Sequence, residues 1–234
     1  MKKILTLFLA VGLAIVLSIG IAIADTYNLG GLIETGNSFQ WGDKIFDDFM
    51  FSISGSDLTA SQINVITIGT DPFGPDWLGI RFQGPMVSEN GAMVDIGLGY
   101  SVSTASGALI IHDITQRFNL SSIGGGLVAI GETVFDASGS LIAQSSVSFY
   151  DVNDPPGELI EGDHLIFDYN VNKLFVTKDV FLHSADPSTE FRQTLVGATI
   201  IEQQFSQVPE PATMLLLGSG LIGLAGFARK RFKK

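Results

Sequence analysis

Lys173-Leu174-Phe175-Val176-Thr177-Lys178 and Ile63-Asn64-Val65-Ile66-Thr67-Ile68 set β-branched and aromatic residues in near-alternation with polar ones. A period of two places successive side chains on opposite faces of a strand, so each run reads as a half-buried β-strand. Working outward, similar runs occupy residues 45–53, 78–83, 93–104, 108–120, 127–135, 141–150, 164–170 and 196–205, with the two quoted runs extending over 173–182 and 63–68. Turn chemistry separates them at Asn90-Gly91, Gly124-Gly125-Gly126, Ser138-Gly139 and Asp154-Pro155-Pro156-Gly157. No window of helical length keeps a 3.6-residue period. The pattern predicts an all-β domain, a single antiparallel β-sandwich of jelly-roll type over residues 25–207, with helix only at the two termini of the chain.

The charge is unevenly spread. Of a net −11 over 234 residues, the segment 25–208 carries six basic and twenty-three acidic residues, while five of the last six residues are basic. A segment so acidic repels a phosphate backbone, which argues against nucleic acid as a partner. The chain has no cysteine, and this removes disulfides, thiolate metal sites and a cysteine nucleophile.

The first segment reads as an export signal, residues 1–24. Lys2 and Lys3 precede an apolar run over 4–23, and Ala22-Ile23-Ala24 offers the small residues that a signal peptidase requires. The run is also long enough to be an uncleaved membrane helix. The small-x-small triplet leading into Asp25-Thr26-Tyr27-Asn28 favours cleavage between Ala24 and Asp25.

At the other end, residues 212–228 hold seventeen uncharged residues, about 25 Å as a helix, and predict a transmembrane helix. Arg229, Lys230, Arg231, Lys233 and Lys234 follow at once and should stay in the cytoplasm, leaving the acidic segment outside. A buried core helix would have to tolerate those five cations at one end. Before the span stands Val208-Pro209-Glu210-Pro211, where two prolines bracketing Glu210 hold an extended segment at the membrane surface.

Pro-Glu-Pro, a Leu-rich helix punctuated by glycine and a basic end, in that order over residues 208–234, resemble the PEP-CTERM sorting signal of Gram-negative bacteria. The resemblance implies processing by an exosortase, a membrane-embedded protease or transpeptidase, in species that make exopolysaccharide. It implies an inner-membrane anchor before sorting and a cell-surface or extracellular location afterwards. A plain rigid linker before an anchor is the competing reading of Pro209 and Pro211. Gly42-Asp43-Lys44-Ile45-Phe46-Asp47-Asp48-Phe49, Val176-Thr177-Lys178-Asp179-Val180 and Gln204-Phe205-Ser206-Gln207 are similar to patches in a subset of PEP-CTERM proteins, which supports the extent of the domain and lends it no activity.

Catalytic chemistry is thinly signalled. His112 and Asp113 are neighbours in a strand and so point to opposite faces, and His164 and His183 have no partner that sequence places nearby. The exported domain has no Gly-x-Ser-x-Gly elbow, since Gly218-Ser219-Gly220 falls in the span. Carboxylate pairs for glycoside hydrolysis meet across a fold and leave no local spacing. Calcium is the one cofactor with named ligands: Asp151, Asn153, Asp154 and Glu158, with Glu161 and Asp163, and a second set in Asp71 and Asp76. The ligand alternation and central glycine of an EF-hand are missing, and solvated turn residues are the competing reading. Two functions remain. One is a non-enzymatic surface or matrix protein associated with exopolysaccharide; the other is a secreted carbohydrate-binding module or glycan-active enzyme, for which Trp41 and Trp77 are candidate sugar platforms.

Overall fold

The computed structural model describes residues 24–69, 78–105, 109–150, 159–188, 190 and 192–209. The expected signal segment before Ala24, Trp77, the calcium loop at Asp151, Asn153, Asp154 and Glu158, Asp71 with Asp76, and the tail from Glu210 onward lie outside the described residues. In chain order the elements are β1 (Thr26–Asn28), α1 (Leu29–Thr35), β2 (Phe39–Trp41), β3 (Lys44–Ser54), a 3-10 turn (Ala60–Gln62), β4 (Asn64–Ile68), β5 (Leu78–Gln83), β6 (Val87–Glu89) and β7 (Met93–Thr104). There follow β8 (Leu109–Asn119), β9 (Ser121–Ile123), β10 (Gly126–Asp136), β11 (Leu141–Tyr150), β12 (Leu159–Val171), β13 (Lys173–Ser184), β14 (Leu195–Gly197) and β15 (Ile200–Pro209).

These strands form two six-stranded antiparallel sheets. Sheet I runs β1-β4-β5-β15-β8-β12 and sheet II runs β11-β10-β13-β7-β3-β2, with a small third sheet, β6-β14-β9, at one end. The chain crosses between sheets repeatedly, from β3 to β4 and β5, back to β7, and again at β8, β10, β12, β13 and β15. Alternation explains what each face buries. In β7, Val94, Ile96, Leu98, Tyr100 and Val102 point inward and are buried, while the intervening positions face outward.

Aromatic rings join the two sheets. Phe205 of β15 meets Phe46 of β3 with centroids 6.0 Å apart and Tyr100 of β7 at 6.4 Å, and Phe82 of β5 lies 5.8 Å from Tyr100. At one edge Tyr27 of β1 stacks on Phe39 of β2 at 4.2 Å, and Phe118 of β8 meets Phe149 of β11 at 5.5 Å. Such contacts add to area burial and fix the spacing of the layers.

Two sequence expectations are corrected. A helix, α1, lies inside the domain, although Leu-Gly-Gly-Leu-Ile-Glu-Thr shows no helical repeat. Seven residues with two glycines would not hold a helix alone. Here Asn28 caps the first turn by accepting from Gly31 N at 3.1 Å, and Leu29 and Leu32 are buried against the core. The run 196–205, read as one strand, is two. The chain leaves the third sheet at Gly197 and enters sheet I at Ile200, with Ala198 N donating to Met86 O and Gly84 N donating to Thr199 O, both at 3.1 Å. The Asn90-Gly91 turn between β6 and β7 is as expected: both residues have positive φ, 54° and 82°, as a type I′ turn requires, and the turn carries the chain from the third sheet into sheet II.

Candidate functional site

The outer face of sheet II carries a trough built from cross-strand rows. One row reads Ser52, Gly97, Asp179, Gly131, Ser146 across β3, β7, β13, β10 and β11. The next reads Met50, Gly99, Thr177, Thr133, Gln144, and the one on the other side Ser54, Asp95, Phe181, Ala129, Ser148. The glycines supply floor where neighbouring strands would supply side chains. A Cβ on Gly97 would come within 2.4 Å of Ser52 Oγ, and one on Gly99 within 2.8 Å of Met50 Cε. Two adjoining depressions result. One of about 430 Å³ includes Ser52, Asp95, Gly97, Gln144 and Asp179 in its lining, and the other, of about 540 Å³, includes Ile33, Met50, Ser52, Gly97 and Gly99.

Asp179 and Asp95 share this trough. Burial raises the Asp179 carboxyl above its ordinary pKa, and its hydrogen bond with Asp95 and the charge of Asp95 raise it further. The surface therefore presents hydroxyls, a carboxamide and a pair of neighbouring carboxyl groups over a glycine floor, with no cation in its lining that points outward. Such a surface offers many hydrogen bonds to a polyhydroxylated ligand and repels a polyanion. Among the described residues no three His, Asp or Glu side chains gather as a metal site.

A second polar cluster lies between the sheets. Lys178 of β13 and Glu132 of β10 are register partners, both buried, and form an ion pair. Lys178 Nζ donates to Gln116 Oε1 of β8, in the opposite sheet, at 2.5 Å. Gln203 of β15 donates through Nε2 to Glu132 Oε1 at 3.4 Å and to Thr115 O at 3.2 Å. Burial pulls the Lys178 ammonium below its ordinary pKa, against the opposing pull of Glu132. Tyr100 is raised well above its ordinary value, first by burial and then by the charge of Glu132. Gln116 Nε2, Gln203 Oε1 and Tyr100 Oη are buried and have no hydrogen-bond partner among the described residues.

The residues singled out in the sequence fall elsewhere. Asp113 turns away from His112, as alternation requires, and meets His164 of β12, with Asp113 Oδ2 3.3 Å from His164 Nε2. This pair, with Asp113 buried and His164 at the surface, gives His164 the partner that the sequence did not supply. Trp41 is half-buried at the rim of the core, its Nε1 donating to Ile68 O at 3.0 Å. Asp163 lies in β12, where it accepts from His164 N at 2.7 Å. Asp25 N donates to Thr67 Oγ1 at 2.7 Å and Thr67 N donates to Asp25 O at 2.9 Å, so the residue expected to begin the mature chain is tied to β4. Pro209 is the last residue of β15, paired with Leu109. The strand thus passes the expected domain end at 207 and enters the Pro-Glu-Pro stretch.

Neither polar cluster was named from sequence, though the interior one left a signal. Lys178 sits in phase with Leu174, Val176, Val180 and Leu182, and Glu132 with Val128, Ile130 and Val134, so each charged residue occupies an inward position of an apolar alternation.

No curated protein matches the chain by sequence. Among solved structures, the carbohydrate-binding module TmCBM61 in complex with β-1,4-galactotriose is 14% identical with a TM-score of 0.29, covering 68% of this chain and 88% of its own. The structure of infectious bursal disease virus, Gx strain, is 12% identical with a TM-score of 0.35, covering 82% of this chain and 53% of its own. A DUF4465 family protein from Bacteroides caccae is 12% identical with a TM-score of 0.24, covering 64% and 91%. Likeness at these scores carries no ligand or activity to this chain, and the sandwich rests on the strand pairing itself. At the C-terminal end the outcome is sharper: residues 207–231 match the PEP-CTERM protein-sorting motif, and the chain therefore carries that motif from the last three residues of β15 onward.

Proposed function

We propose that the chain is an exported, non-enzymatic cell-surface or matrix protein whose jelly-roll sandwich is delivered to the exopolysaccharide layer by an exosortase. The observation that carries this reading is the sorting motif at residues 207–231. In this reading signal peptidase cuts between Ala24 and Asp25, the span 212–228 holds the precursor in the inner membrane, and Arg229, Lys230, Arg231, Lys233 and Lys234 keep its end inside. Moving each such cation to the bilayer centre costs about 2.5–3.5 kcal/mol, so five fix the orientation. Pro209, Glu210 and Pro211 then stand at the outer boundary. Because β15 runs into Pro209, the exosortase works close against the folded domain rather than on a long linker.

A second reading, a carbohydrate-binding module, is favoured by the trough on sheet II, whose hydroxyls, carboxamide and carboxylates suit a neutral glycan. The two are compatible if the trough is where matrix polysaccharide is held.

The test compares cells that contain the sorting enzyme with cells that lack it. Cleavage near Pro209 and release of the domain are expected only in the former. Glu210→Ala should leave folding and export intact while the helix-bearing form accumulates in the membrane. Full-length, membrane-held protein in both strains would make the tail a simple anchor.

A further inference from the structure

The cluster between the sheets has the composition and placement of a self-modifying site. We propose that Lys178 and Gln116 react within the folded domain to form an amide cross-link between Lys178 Nζ and Gln116 Cδ, with Glu132 shuttling the protons.

The geometry brings the three groups together where water does not reach. Lys178, Glu132 and Gln116 are all buried, with at most 2% of any of them exposed. Nζ lies 2.5 Å from Gln116 Oε1, one bond from the carbon to be attacked, while Glu132 Oε2 touches the same nitrogen. The nucleophile and the proton carrier are fixed by their register pairing in sheet II, and the acceptor is presented by sheet I. Reacting groups held in a packed core are presented to each other at high effective concentration.

The steps balance without any co-reactant. The Lys178 ammonium passes a proton to Glu132 Oε2, and both charges vanish, as a dry interior favours. Burial already lowers the affinity of this amine for its proton. The Nζ lone pair attacks Gln116 Cδ, and the C=O electron pair moves to Oε1. Glu132 gives its proton to Nε2 and takes one from Nζ. The Oε1 electron pair then restores the carbonyl, the Cδ–Nε2 bond breaks, and ammonia leaves. The products are a secondary amide, ammonia and a neutral Glu132 carboxylic acid that can donate to the new carbonyl. No oxidation occurs.

The leaving atom is marked independently. Gln116 Nε2 is buried with no hydrogen-bond partner among the described residues, so the reaction expels the one atom of that side chain that folding leaves unsatisfied. The bond would close a sequence separation of 62 residues and tie sheet I to sheet II in a chain that contains no cysteine. Cross-links across long loops restrict the unfolded chain most.

The test uses the full chain, exported from cells and recovered outside the cytoplasm, then denatured and digested with trypsin for peptide mass mapping. A branched peptide is expected that joins the segment containing Lys178 to that containing Gln116, lighter than the two linear peptides together by one ammonia, with no cleavage at Lys178. Fragmentation should place the branch at Gln116. Recovery of the two unmodified linear peptides from folded protein would overturn the proposal, as would a branch at Gln203. Glu132→Gln keeps the shape of the shuttle without its acid, and Gln116→Met removes the acceptor. Linear peptides and restored cleavage at Lys178 are expected in both variants, and a branch persisting in Glu132→Gln would overturn the role of Glu132.

Discussion

Asp179 stands between Gly97 and Gly131 on the outer face of sheet II with Asp95 as its neighbour, and its carboxyl is raised by burial and by that neighbour. A carboxyl raised on folding holds its proton more tightly in the folded state. Its contribution to stability is therefore fully present below the ordinary carboxylate value of 3.8 and is lost as pH rises through the raised folded value. At neutral pH the pair is a local repulsion. Asp179→Asn keeps a donor toward Asp95 and removes one charge, so it is expected to stabilise the domain at pH 7 by about 0.2–1 kcal/mol, the range for cross-strand side-chain pairs on one face of a sheet. Denaturant unfolding at pH 7 and in mild acid checks this, and the gain should shrink in acid. If the trough holds a neutral glycan, the same variant should also change glycan retention, which gel electrophoresis in polysaccharide-containing gels would read.

Among elements, the β10–β11 hairpin is organised by one side chain. Asp136 Oδ1 accepts from Ser138 Oγ at 2.6 Å, Ser138 N at 2.8 Å and Ser140 N at 3.0 Å, and Oδ2 accepts from Tyr169 Oη at 3.0 Å. The Ser138 hydroxyl, then the Ser140 amide, hold this carboxyl down at about 2. With a depressed folded value, its contribution is present above the ordinary carboxylate range and is lost as pH falls toward about 2. Asp136→Ala should speed hydrogen exchange at the Ser138 and Ser140 amides at neutral pH, and the contrast with the parent should fade near pH 2. A second element depends on an absent side chain. A Cβ on Gly79 of β5 would lie 1.8 Å from the backbone oxygen of Gln203 in β15. Gly79→Ala must therefore push those paired strands apart, and a loss of about 1–3 kcal/mol is expected in equilibrium unfolding.

At the scale of the whole molecule, stability rests on the layer between the sheets. Phe205 is fully buried and touches Phe46 and Tyr100 of the opposite sheet. Phe205→Ala leaves a cavity at that contact and should cost about 3–5 kcal/mol, read as a lower denaturation midpoint with the β-sheet circular dichroism of the folded state retained. Residue 205 is also four positions from the end of β15, and Pro209 closes the strand. A destabilised last strand should fray toward the sorting motif. Phe205→Ala is therefore expected to make the chain more open to nonspecific proteolysis near Pro209, whereas Glu210→Ala is not.

The sequence by itself determined most of the long strands, several of the turns between them and the sorting tail. Runs of β-branched and aromatic residues between turn residues placed β5, β7 and β11 at the bounds the structure has, because such side chains fit the pleated, half-buried surface of a strand. Asn90-Gly91 fixed its turn through a backbone conformation that few residues adopt. The tail was legible because a proline pair, an apolar run and a basic cluster are local features that need no fold. Only the tertiary structure decided which strands face each other, and so which polar residues meet. Asp95 and Asp179 lie far apart in the chain and become neighbours through the β7–β13 register. Alternation could show that Lys178 and Glu132 point inward, but the pairing with Gln116 depends on how sheet I lies over sheet II, and no local pattern carries that information. The helix α1 was hidden for the same reason, since its stability comes from burying Leu29 and Leu32 rather than from its own seven residues.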